Sequence, residues 1–318
     1  MRIRRSTLVD QSRGQYFHVV SRVVDRRFIF GDQEKDFFLR ILRQYEGFSG
    51  VEVLSYCLMS NHFHLLVHIP AKPDNIPESE VLRRIKFIYR NERVSEIKEH
   101  LKSLEGEEIT SIREDYLNSF RNRMYQLSHF MRELKLRFSK YYNDKSDRTG
   151  TLWEERFRCS LIEGHSNALM NTAAYIELNP VRAEIVKDPV EYRWCSCTES
   201  LAGGKSARKG IIILASGQNA PLSFKDAIKR YREFYINKSQ KQKGSRPGMD
   251  EESTTISMID SIHIRSRYFI DGVILGSREF IEEWYKRNRD SLCPTRRQIS
   301  HRISSLPERD IHTYRKVS

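Results

Sequence analysis

The chain has 318 residues, with 55 Lys and Arg against 42 Asp and Glu, a formal net charge of +13. That length supports one or two domains with real cores, and the excess charge favours a polyanionic partner, nucleic acid first, although a generally basic surface with no partner stays open. Five cysteines with no Cys-x-x-Cys pair argue against a disulfide framework or a structural zinc site, no apolar run approaches the ~18 residues of a membrane span, and the charged N-terminus lacks the apolar stretch of a signal peptide. The expectation is a cytoplasmic protein with no membrane attachment.

Gln15 to Val23 is rich in β-branched and aromatic residues and reads as a strand. A helical stripe follows over 33–48, with Phe37, Phe38, Ile41, Leu42 and Tyr45 on one side. Val51 to Met59 and His62 to Ile69 read as two strands of a hairpin turning at Ser60-Asn61. Residues 76–122 are charged and helix-like, a helical insertion with few apolar anchors. Met124 to Tyr142 is a stronger helix whose other face carries Arg132, Lys135, Arg137 and Lys140. Phe157 to Glu163 reads as a fourth strand, and Ser166 as the N-cap of a helix that Pro180 stops near Leu178. This order of elements implies an α+β fold, a ferredoxin-like antiparallel sheet with helices packed on it.

Beyond residue 200 the signals weaken. Ala202 to Gly210 reads as a flexible basic loop, Phe224 to Ile236 as a helix, and Lys238 to Gly248 as a linker. A small C-terminal extension is expected over 249–318, with a strand at 268–275, a helix at 277–287 and a basic, partly disordered end from Pro294. The implied domains are 1–200, a helix and linker over 201–248, and that extension, whose role the sequence leaves unassigned.

Two clusters carry chemistry. In the hairpin, His62 and His64 flank Phe63. Alternation puts both imidazoles on one face, about 7 Å apart, while Phe63 points away and anchors the strand. Two neutral nitrogen donors on a stiff surface are half of a metal site. His68 shares the face but lies ~13 Å along the strand from His62, too far for a third ligand. More than a hundred residues later, Tyr175 and Asn179 stand one helical turn apart on one face, with Asn171 a turn earlier. By itself the pair also fits a buried tyrosine with Asn179 as a C-terminal cap. Taken with the histidines it suggests a divalent metal on His62 and His64, polarising a phosphate oxygen while Tyr175 attacks phosphorus and Asn179 completes the metal shell. A phenol with a pKa near ~10 needs positive charge nearby to react.

The stretches Tyr56 to Val67 (YCLMSNHFHLLV), Arg148 to Phe157 (RTGTLWEERF), Ala174 to Ala183 (AYIELNPVRA) and Tyr192-Arg-Trp194 resemble the HUH single-tyrosine transposases of the IS200/IS605 type, and more specifically their relatives associated with repetitive extragenic palindromes. The resemblance spans roughly residues 1–200. It implies that His62 and His64 are the metal-binding pair, Tyr175 the nucleophile and Asn179 the third ligand. It further implies magnesium or manganese as cofactor, single-stranded DNA with hairpins or palindromic repeats as substrate, a 5′-phosphotyrosine intermediate, and action as a monomer or homodimer. Ser60 departs from a frequent proline and Glu177 from a frequent histidine or other polar residue. Arg132, Lys135, Arg148, Trp153 and Arg156 are the DNA-contact candidates, cations for phosphates and an indole for stacking, with Trp153 equally able to be core. The alternative function is a hairpin-binding protein that has lost cleavage.

Overall fold

In the computed structural model the described residues are 8–10, 12–106, 109–164, 167–217, 219–240, 273–289, 300–303 and 311–314. They build one mixed sheet with helices on both faces. β1 (Gln15–Arg22) leads through α1 (Asp32–Ser49) to the hairpin β2 (Glu52–Leu58) and β3 (His62–Ile69). Three short helices form the charged insertion, α2 (Glu78–Ile85), α3 (Asn91–Ser103) and α4 (Thr110–Arg121), and α5 (Leu127–Lys145) returns the chain to β4 (Arg158–Ile162). The strands lie in the order β2-β3-β1-β4, every neighbour antiparallel. Two interleaved β-α-β units make that order, because each crossover leaves a gap that another strand fills.

The pleat divides the core in two. Phe17, Val19, Val53, Phe63, Leu65 and Val67 face α1 and α5 in the larger cluster. The opposite parity (Tyr16, Leu54, Cys57 and Leu66) faces α6 (Asn167–Glu177) and α9 (Lys205–Ser216) in the second. α1 ends because Gly50 takes φ +75° and its amide bonds back to the Glu46 carbonyl at 3.2 Å, a left-handed cap.

One expectation for the second half changes. The stretch read as a flexible loop over 202–210 is largely helix: α9 starts at Lys205, drawn in by Ile211, Leu214 and Ala215, which bury against β2. Gly210 permits that approach, since a Cβ there would sit 2.4 Å from the Leu54 carbonyl oxygen. Of the strand expected over 268–275, residues 268–272 lie outside the described residues, and β5 (Ile274–Gly276) runs parallel to β4 as an extension of the same sheet, followed by α11 (Arg278–Asn288). Of the basic end expected from Pro294, the described residues form β6 (His301–Arg302) and β7 (His312–Thr313), with β7 paired to β5, and the rest lies outside the described residues. α10 (Phe224–Gln240) runs into the expected linker, most of which lies outside the described residues, as does the Ser166 cap.

Between α6 and its neighbours sits a buried carboxylate. Glu177 accepts from the Ser55 hydroxyl at 3.2 Å, the Cys197 amide at 3.3 Å, the Tyr231 hydroxyl at 3.4 Å and, at shorter range, the Ser196 hydroxyl. Burial pushes its pKa up despite these donors. Glu177 therefore ties the second-layer helices to β2. Among the described residues no helix is long and apolar enough to cross a membrane.

Because α9 meets β2 backbone to side-chain root at Gly210, Gly210→Ala is expected to lower the free energy of unfolding in urea by about 1–3 kcal/mol. An unchanged or raised midpoint would contradict the close helix-on-sheet contact.

Candidate active site

β3 lies between β1 and β2, so its residues are fixed by ladder bonds on both sides. His64 stands opposite Val20 and Cys57, and His62 opposite Arg22 at the strand's start. Phe63 is fully buried on the other face against Phe38 and Trp153, with ring centroids 4.7 and 5.7 Å away. The two imidazoles emerge on one face as the alternation requires, with ring centroids 5.1 Å apart.

α6 crosses that face and brings Tyr175 to it. The Tyr175 ring lies edge-on to His64, with centroids 5.6 Å apart. A third histidine, absent from the sequence reading, completes the cluster. His18 on β1 places Nε2 3.0 Å from His64 Nδ1 and its ring 5.8 Å from that of Tyr175. Its place follows from the pairing register, which the structure supplies: Val20 pairs with His64, so His18, two residues away, shares its face.

The hydrogen bonds leave the His62 and His64 rings each with one nitrogen outside these contacts. His62 Nδ1 meets Asn61 Oδ1 at 2.7 Å, and since an amide oxygen only accepts, Nδ1 carries the proton and Nε2 the lone pair. His64 Nδ1 is engaged by His18, which leaves its Nε2. Both rings resist protonation. Burial, reinforced by Arg22 and Arg182, holds His62 down to about 4, and burial with His62 and His18 nearby holds His64 well below the ordinary histidine range. Neutral, oriented imidazoles are the form that binds a divalent cation, so the pair fits the implied metal as two of its ligands. Among the described residues no three His, Cys, Asp or Glu side chains form a metal-binding group.

Asn179 opens the short helix α7 (Asn179–Arg182), and its amide nitrogen donates to the Tyr175 and Ile176 carbonyls at 3.1 Å each. Its oxygen accepts a short bond from Arg182. Arg182 is the second residue the sequence reading missed, although it stands at the i+3 position from Asn179. Its guanidinium lies 4.0 Å from the centre of the Tyr175 ring, and its Nη1 is buried with no hydrogen-bond partner. His68 is elsewhere, bonded to Glu52 at 2.7 Å and stacked on Tyr16.

The DNA-contact candidates separate. Arg132, Lys135, Trp153 and Arg156 line one groove of about 560 Å³ between α5 and the loop before β4, on the face opposite Tyr175. Arg132 and Arg156 are exposed there, Arg148 is half-buried, and Arg148 is not part of the groove. Lys135 is buried, and its ammonium donates to the carbonyls of Glu155, at 2.7 Å, and Arg156. As the i+4 neighbour of buried Met131 it shares the core-facing side of α5, so its expected place on the basic face is corrected: its charge fastens the 155–156 backbone. Trp153 is core, its indole donating to Ser139 Oγ at 2.8 Å within a cluster of Phe30, Phe63 and Phe138.

Residues 11–110 match the sequence model of a family described as IS200-like transposase. No curated protein matches. Among solved structures, a REP-associated tyrosine transposase bound to a REP hairpin is similar, at 12% identity and a TM-score of 0.35, covering 60% of this chain and 82% of that one.

The depressed imidazoles set a pH dependence. Unfolded histidines take up protons near 6.5 while His62 resists to about 4. The unfolded state therefore binds more protons between these values, and stability falls as pH drops through the window. Comparing pH 7.5 with pH 5, the parent is expected to lose on the order of 1–2 kcal/mol more than His62→Gln. The difference between the two proteins is the readout, because raised Glu177 acts in the opposite sense. Equal losses would contradict neutral burial of this ring.

Proposed function

We propose that this chain, whose residues 11–110 match the sequence model of the IS200-like transposases, cuts and rejoins single-stranded DNA beside hairpins through a tyrosine-linked intermediate. The single observation that carries this reading is the meeting of Tyr175, His64 and His18 on one face of the sheet, from elements more than a hundred residues apart in sequence. The hairpin specificity rests on the likeness of the Ala174–Ala183 and Arg148–Phe157 motifs to the palindrome-associated members.

In the proposed reaction the Tyr175 oxygen forms a bond to phosphorus as the bond from phosphorus to the 3′ oxygen breaks. The phenolic proton is released and the 3′ oxygen leaves as a hydroxyl, so the 5′ side stays on the protein as a phosphotyrosine. The reverse attack by a 3′ hydroxyl rejoins the strand without an external energy source. His62 and His64 would hold magnesium or manganese through Nε2, and Asn179 would turn its oxygen from Arg182 to complete the set. The bound cation would neutralise charge on the phosphate oxygens. Arg182 keeps a positive charge against the ring that becomes anionic, and its buried Nη1, without a hydrogen-bond partner among the described residues, suits a non-bridging phosphate oxygen. His18 acts as a positioning residue: if it accepts from His64 Nδ1, the lone pair of His64 is fixed on Nε2.

The test is incubation with a labelled hairpin carrying a single-stranded flank, in manganese, followed by denaturing electrophoresis. The parent is expected to form a covalent adduct. Tyr175→Phe is expected to bind the hairpin and form none, and His64→Ala to lose at least about 100-fold in cleavage. An adduct in Tyr175→Phe would overturn the nucleophile. Hairpin binding with no adduct in the parent would mean a recognition protein without chemistry.

A further inference from the structure

The most exposed large apolar side chain among the described residues is Phe28, 81% accessible. It sits between β1 and α1 in the sequence Val24-Asp-Arg-Arg-Phe-Ile-Phe30, with Arg26 and Arg27 exposed beside it. The segment is held on every side. Val23, Ile29 and Phe30 are buried in the core. The Val24 amide donates to the Leu152 carbonyl at 2.9 Å and the Phe30 amide to the Ser60 carbonyl at 3.0 Å. Within it Asp25 and Arg26 both adopt left-handed conformations, φ 55° and 53°. Non-glycine residues are held there only when the surroundings dictate it, and such strain collects at functional sites.

One further bond ties this turn to the site. Asn61 presents its oxygen to His62 Nδ1 at 2.7 Å and donates from its amide nitrogen to the Arg26 carbonyl at 3.0 Å. The residue that orients a proposed metal ligand therefore also fixes the arginine turn. A lone aromatic ring on a rigid, doubly basic turn is too small an apolar patch for a protein interface, and a second copy would bring like charges together. It suits an unpaired nucleobase, which offers a flat face to the ring and a phosphate on either side to the guanidinium groups.

We propose that the Arg26-Arg27-Phe28 turn is a single-strand binding site, in which Phe28 stacks on an unpaired base and Arg26 and Arg27 hold its flanking phosphates. The assignment rests on the reading of the chain as an enzyme of single-stranded DNA, and it adds the contact that would steer that strand toward His62.

The probe is a single-stranded oligonucleotide with one 2-aminopurine, compared with the same sequence annealed as duplex, bound to the full-length protein. Phe28→Ala is expected to weaken single-strand binding about tenfold, to remove the fluorescence quenching that stacking causes, and to leave duplex binding unchanged. Phe28→Tyr is expected to restore both signals, which separates stacking from a folding defect. Unchanged single-strand affinity and quenching in Phe28→Ala would overturn the site, as would a parent dimer that Phe28→Ala dissociates. A parent that forms no covalent adduct, yet depends on Phe28 for single-strand binding, would sink the proposed chemistry and leave this site standing.

Discussion

The pleat of β3 is the constraint on which the rest depends. One strand, bonded on both sides, drives Phe63 into the larger core and lifts His62 and His64 onto the other face. Fully burying an aromatic ring of this size contributes about 2–3 kcal/mol, and a slip of one residue would exchange the ring with the imidazoles. Register at this strand therefore couples stability to the site: the ring that anchors the sheet sets where the histidines point.

The opposite face is organised to keep the site neutral and oriented. α6 is buried along nearly its whole length, an unusual state for a helix, and Asn171 and Thr172 donate back to the Asn167 and Ala168 carbonyls. Glu177 is engaged by α8 (Ser196–Leu201), α10 and β2, while Tyr175 faces the histidines. The motif Tyr192-Arg-Trp194 closes the layer, with the Tyr192 hydroxyl donating to the Leu58 carbonyl at 2.6 Å and Trp194 to Asp36 at 2.9 Å. Burial that depresses His62 and His64 brings Arg182 and His18 into their field, so the geometry that fits a cation also holds positive charge beside the tyrosine.

Much of this was legible in the sequence where a single periodicity decided the outcome. The alternation through His62 to Ile69 places both imidazoles on one face without knowledge of the rest of the chain, and the four-residue spacing of Tyr175 and Asn179 brings the Asn179 amide onto the Tyr175 carbonyl. His18 was not legible, because its strand could be recognised but its pairing register to β3 could not. Arg182 was quoted within a motif, yet its role depends on α7 turning it back over Tyr175. Lys135 misled because a lysine on an amphipathic helix is usually solvated, and only the carbonyls of Glu155 and Arg156 explain its burial. The loop expected at 202–210 failed for a related reason: Gly210 there marks a close approach of helix to sheet, and its contact with Leu54 is visible only in three dimensions.

The central claim is that the phenol carried by α6 is the group that becomes joined to DNA. Its most direct test is mass spectrometry of the protein after reaction with a hairpin library in manganese and digestion of the DNA to a short remnant. The expected result is a nucleotide mass on Tyr175 alone among the 15 tyrosines of the chain. A remnant on any other residue would contradict the account.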